Sequence, residues 1–171
     1  MKSFSFALLS LTLISLFAGC DEAVSKEATA TIDTWLPLRI SDKELEIQVP
    51  ITSTDQRKGL MYRKDLGTDQ GMLFPYKPPQ QLSFWMANTK IPLDIGFFDQ
   101  DGILREIHRM YPNDLNSTKS SSTDLNFALE MNQGWFRTNG IKVGDQLDLT
   151  LLAEALRKRG EDPAEYGLGP N

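Results

Sequence analysis

Eight side chains in three stretches have types suited to chemistry: Arg57, Met61 and Arg63, then Trp85, Asn88, Thr89 and Asp94, then Glu130. Two carboxylates, Asp94 and Glu130, are the minimum set for hydrolysis in which one group holds a proton while the other stays ionised. Asp94 lies inside the run Leu93-Asp94-Ile95-Gly96-Phe97-Phe98. A carboxylate among apolar neighbours must be paired or hydrogen-bonded, because an unpaired buried charge is costly. Arg57, Arg63 and the donors of Asn88 and Thr89 are its candidate partners. Two readings follow. Either Asp94 and an arginine line a small-ligand pocket, with Gly96 leaving room for ligand or backbone, or the pair is structural and pins the loop from Asn88 to Pro92 onto a helix. Asn88-Thr89 also reads as a turn held by side-chain hydrogen bonds.

Met61, Met72, Trp85 and Met86 form an aromatic and thioether set that either packs in the core or offers an adaptable apolar groove. An exposed Trp135 would give a flat docking platform for a partner protein. Other chemistry has thin support. His108 has no associated nucleophile motif, and no Gly-rich phosphate loop is present. One cysteine and one histidine exclude a Cys/His zinc set or an intrachain disulfide in one copy. No cofactor or metal site is expected. A net charge of −5 provides no excess of Lys and Arg to release counterions, so nucleic acid is not an expected partner. The balance leans away from an enzyme.

The beginning of the chain points to the cell envelope. Lys2 precedes an apolar run from Phe4 to Ala18, which reads as an export signal and is too short to span a bilayer. Ala18-Gly19-Cys20 resembles the lipobox of bacterial lipoproteins, with Phe17 departing from the usual Leu. The resemblance implies cleavage after residue 19 and lipid on Cys20, so the membrane is the expected partner through that lipid. Residues 20–34, small and charged, read as a flexible tether. One globular domain is expected over 35–159, and the Pro/Gly-rich residues 160–171 read as a fraying tail.

Alternation places a half-buried strand at Glu44 to Val49, and strands at Gly71 to Phe74, Leu82 to Met86 and Leu93 to Phe98. Asp99-Gln100-Asp101-Gly102 turns into a strand over Ile103 to Met110, making a hairpin. Ser53 with Gln56 fits a capping box for a helix over Thr54 to Arg63. Tyr111 to Asp124 is polar surface. Phe127 to Glu130 reads as a strand, Asn132 to Asn139 as a short helix or turn, Gln146 to Leu151 as a strand, and Leu152 to Arg159 as a helix stopped at Gly160. This pattern belongs to the α+β class: mostly β, a small strongly bent sheet or barrel-like domain with two or three short helices.

Five blocks carry a resemblance: R-K-G-L-M-Y-R (57–63), G-M-L-F (71–74), F-W-M-A-N-T-K-I-P-L-D-I-G-F-F-D (84–99), A-L-E-M (128–131) and G-I-K-V-G-D (140–145). In order and spacing they resemble the domain of unknown function 192 family, over roughly the whole mature domain. The resemblance implies a compact, mostly β domain of bacteria and archaea, often exported, with no established activity. G-I-K-V-G-D is also similar to the Gly-Asp turn of cradle-loop barrels, which favours a barrel-like sheet. The expected function is an envelope-exposed, lipid-anchored module that binds a small molecule or an envelope protein. Its polar side would be Arg57, Arg63, Asn88, Thr89 and Asp94, and its apolar side Trp85 and Met61. The rivals are a hydrolase using Asp94 and Glu130, and a structural interaction domain docking through Trp135.

Overall fold

A computed structural model describes residues 29–169. Cys20 and the export signal lie outside the described residues. The elements run β1 (Leu36–Ile40), β2 (Lys43–Gln48), α1 (Ser53–Lys58), β3 (Gln70–Gln80), β4 (Ser83–Phe84), β5 (Leu93–Phe98), β6 (Leu104–Met110), β7 (Thr118–Lys119), β8 (Leu125–Asn132), α2 (Trp135–Thr138) and α3 (Leu149–Lys158), followed by a 3-10 turn at Pro163–Tyr166. Six strands form one sheet in the order β1-β2-β3-β8-β5-β6, and β4 pairs with β7 separately. All neighbours are antiparallel except β2 and β3.

The sheet curls because one short segment binds both of its edges. Leu147 bridges Ile40 at the end of β1, and Gln146 bridges Ile103 at the start of β6. Backbone bonds from Leu147 to the Gly102 carbonyl and from Asp148 to the Arg39 carbonyl reinforce the closure. The strand expected over Gln146 to Leu151 is thus cut to two bridging residues. The Asp148 side chain accepts from the N–H groups of Thr150 and Leu151 and starts α3 there, satisfying helix donors that a strand would leave elsewhere. The result is the expected α+β, mostly β half-barrel with three short helices.

Two cores cover the two faces of the central strands. On one, Leu73, Phe98, Leu129 and Met131 meet Phe136, Leu152 and Leu156 of α2 and α3. On the other, Met72, Phe74, Ile95, Phe97 and Ala128 meet Leu60, Phe84 and Met86. Every residue of β5 is buried, as expected for a strand covered on both faces. Gly96 leaves no vacancy: a Cβ there would lie 2.9 Å from the Phe136 ring. The space read as room for a ligand is filled by that phenylalanine.

Both ends differ from the expected limits. The Ala30 N–H donates to the Lys158 carbonyl, and Ile32 packs on the second core. Tyr166 and Leu168 are buried in the first core, and Lys77 pairs with Glu161 and Glu165. Residues 30–34 and 163–168 are therefore seated on the domain.

Candidate functional site

Register separates the two carboxylates. Asp94 pairs with Met131 and Ile95 pairs with Glu130 across β5 and β8, so Asp94 and Glu130 project from opposite faces of the sheet. The paired-carboxylate hydrolase requires one shared cleft, and that geometry is excluded. Asp94 is 5 % exposed. Its Oδ2 accepts the Gly134 N–H at 2.8 Å, which fixes the entry to α2, while Oδ1 is buried without a partner. Neither reading of an Asp94–arginine pair holds: no arginine, and neither Asn88 nor Thr89, reaches Asp94.

The other candidates divide. Arg63 donates to Gln48 Oε1 and lies over the Trp35 ring at 5.7 Å. Burial lowers its pKa, opposed by Asp33 and Asp65. It braces the base of the loop after α1. Asn88 adopts a left-handed conformation (φ 55), and its carbonyl accepts the Tyr62 N–H at 2.9 Å, so its role is that of a turn. Trp135 is buried, packs edge-on against Phe136 and donates from Nε1 to Asp69 at 2.9 Å. It offers no docking platform.

Arg57, Met61, Trp85, Thr89 and Glu130 do come together. They line a small cleft with Gln56, Lys58, Phe74 and Phe84. Its volume is about 30 Å³, enough for a single water-sized group. Each wall follows from local sequence. Thr52 caps α1, accepting the Asp55 N–H at 3.1 Å, one residue before the expected Ser53. Gly59, at φ 46, then ends the helix after Lys58, well short of Arg63, and turns Leu60 and Met61 back over the sheet. Phe84 of β4 is buried, and Trp85 directly after the strand is 53 % exposed at the mouth. Thr89 Oγ1 donates to the Ala87 carbonyl at 3.3 Å, leaving its lone pairs for another donor.

Glu130 forms the floor. It lies opposite Met72 on one side and Ile95 on the other, and only 5 % of its surface is exposed. Among the described residues no donor reaches its carboxyl, and burial raises its pKa to about 8. Tyr76, on the same face of β3, has its pKa pushed to about 12, first by burial and then by Glu130. Near neutral pH the Glu130 carboxyl therefore holds its proton and is a hydrogen-bond donor with no acceptor among the described residues.

A mostly buried acid on the floor of a cleft, under an exposed indole and with two cationic side chains beside it, is the arrangement expected of a binding site. Four of the five sequence blocks converge on it, supplying Arg57 and Met61, Phe74, Trp85 and Thr89, and Glu130. The profile of the DUF192 family, described as an uncharacterized ACR, matches residues 36–149. The chain belongs to that family. Two solved structures resemble this DUF192 chain. A protein of unknown function from Novosphingobium aromaticivorans is 34 % identical, with a TM-score of 0.62 over 67 % of this chain and 84 % of its own. A Sinorhizobium meliloti protein named as a proposed transcription regulator is 30 % identical, with a TM-score of 0.63 over 67 % of this chain and 93 % of its own. No curated protein matches the chain.

His108 hydrogen-bonds Glu106 at 2.7 Å and packs edge-on against Phe97. No hydroxyl among the described residues bonds to it. Glu106 in turn accepts the N–H groups of Ser121 and Ser122. Burial raises its pKa, but these bonds and His108 outweigh it and hold the group below its ordinary value. The pair anchors the serine-rich loop. Lys58 and Phe84 line the cleft without being expected there. Lys58 has a signal in its adjacency to Arg57, whereas Phe84 reaches the site only through the fold.

Proposed function

We propose that this DUF192 chain is a ligand-binding module, held in the cell envelope by lipid on Cys20, that seats one small polar group of its ligand in the Glu130 cleft and holds the rest of that ligand at the mouth beside Trp85. The observation that carries the reading is the unpartnered Glu130 carboxyl at the cleft floor. A protonated carboxyl donates to an acceptor oxygen of the ligand, Thr89 Oγ1 accepts from it, and Trp85 and Met61 cover its apolar part. Arg57 and Lys58 at the mouth favour a neutral or anionic ligand over a cation. No second acid lines the cleft among the described residues, and the Thr89 hydroxyl donates to the Ala87 carbonyl rather than to a base, which supports binding rather than hydrolysis.

The test is a thermal-shift and native mass-spectrometry screen of small molecules extracted from the source envelope, with wild type beside Glu130→Gln and Glu130→Leu. A compound that stabilises wild type but not the leucine variant is expected. A compound that stabilises all three proteins equally places binding elsewhere. The anchor is tested separately: Cys20→Ser should move the protein from the membrane fraction to the soluble fraction, and an unchanged distribution contradicts it.

A further inference from the structure

The fold leaves the charges of the Glu130 cleft unbalanced. Arg57, Lys58 and Glu130 are the ionisable side chains that line it. Neither cation is in a salt bridge among the described residues, and burial alone, unopposed by either of them, shifts Glu130. In the adjoining hollow two acids, Asp33 and Asp55, meet two bases, Lys58 and Arg63. Arg57 borders the cleft and not that hollow, and no acid but Glu130 borders the cleft with it.

The elements packed against Glu130 supply no base to take its proton. On β3, Met72 lies opposite it, and Tyr76, on the same face, titrates at about 12 and stays neutral. On β5, Ile95 lies opposite, and one strand further His108 is bonded to Glu106. Helix α1 and its exit contribute Gln56, Arg57, Lys58 and Met61, and the segment after β4 contributes Trp85 and Thr89. A ligand therefore meets one acidic proton at the floor and two cations beside it.

Three ligand chemistries fit this set unequally. An ammonium group is repelled by both cations and can accept nothing from Glu130. A carboxamide accepts from Glu130 but leaves Arg57 and Lys58 without a counter-charge. A carboxylate satisfies both sides. One of its oxygens accepts from Glu130, the two carboxyls then hold a single proton between them, and the remaining negative charge faces a guanidinium whose planar fork suits it. The space of about 30 Å³ admits one water-sized group, so a single oxygen reaches the floor while the body of the ligand lies against Trp85 and Met61.

We propose that the ligand of this cleft is a carboxylate on an apolar body, hydrogen-bonded to the Glu130 carboxyl and charge-balanced by Arg57 and Lys58. The inference rests on the cleft reading and adds the ligand class and a proton bound with it. Free protein holds that proton up to a pH of about 8, so affinity should be flat near neutral pH and fall about tenfold per pH unit well above the midpoint. The experiment titrates the full chain with phenylacetate and hexanoate, and with the amide of each, by calorimetry at pH 7, 9 and 10. An acid that binds about tenfold tighter than its amide at pH 7 is expected, with the amide's affinity reached in Arg57→Gln and binding lost in Glu130→Leu. Glu130→Gln, which keeps a donor and both cations but has no proton to lose, should fall far less between pH 9 and 10 than wild type. An equal fall in the two overturns the shared proton and with it the proposal. Amides that bind as tightly as the acids, and lose binding in Glu130→Leu, overturn the carboxylate and leave the cleft reading standing. Acids that bind Glu130→Leu as well as wild type overturn both. No response to either acid overturns the carboxylate, and the cleft then stands or falls with the screen of envelope extracts.

Discussion

Glu130 costs the fold stability that an amide in its place would not. Its carboxyl titrates at about 8 in the folded protein against roughly 4.3 when solvated. Below the lower value both folded and unfolded chains hold the proton. Between the two only the folded chain holds it, so stability falls as pH rises across this window and levels off above about 8. Glu130→Gln should accordingly match wild type at pH 4 and exceed it by on the order of 3–5 kcal/mol at pH 8. Urea unfolding at pH 4, 6 and 8 measures this, and equal stability at pH 8 would mean that the carboxyl finds a donor. Retaining such a group is the pattern of a binding site that trades stability for function. Asp94 behaves differently, because its Oδ2 satisfies the Gly134 N–H. Asp94→Ala leaves that donor without its partner and should cost ~1–3 kcal/mol, with no effect on ligand response at the cleft on the other face.

At the scale of elements, legibility in the sequence followed how completely each element satisfies its own rule. The strand Leu93–Phe98 matched its expected limits because turn residues bound an apolar run. Its interior was harder to read: with both faces covered, periodicity gives no sign of which core Asp94 and Glu130 enter. That depends on the register between β5 and β8, a long-range property absent from either segment alone. Leu147, Leu149 and Leu151 alternate like a strand, yet the Asp148 cap draws the last two into α3. Likewise Gly59 shortens the expected helix to Ser53–Lys58. That stop matters to the site, since α1 buries none of its six residues and its exit enters the core at Leu60. The Tyr111 to Asp124 stretch read as plain surface, but Ser120 is buried and donates to the Ser122 carbonyl at 2.8 Å, a contact for which composition carries no signal.

For the whole molecule, sheet closure and cleft are linked. The G-I-K-V-G-D block leads into the bridges at Gln146 and Leu147 that curl the sheet, while the other four blocks line the Glu130 cleft. Of the eight candidate residues the fold brings five into one cleft. Arg63, Asn88 and Asp94 lie outside it, because neighbours in sequence motifs need not share a face. The central claim is that the acid at the cleft floor is protonated near neutral pH and open to a ligand. The most direct test is a carbon-13 NMR titration of the Glu130 side-chain carboxyl, assigned by its loss in Glu130→Gln. A midpoint near 8 that moves when a cleft ligand binds is the predicted result. A midpoint in the ordinary carboxylate range, unmoved by ligand, would contradict it.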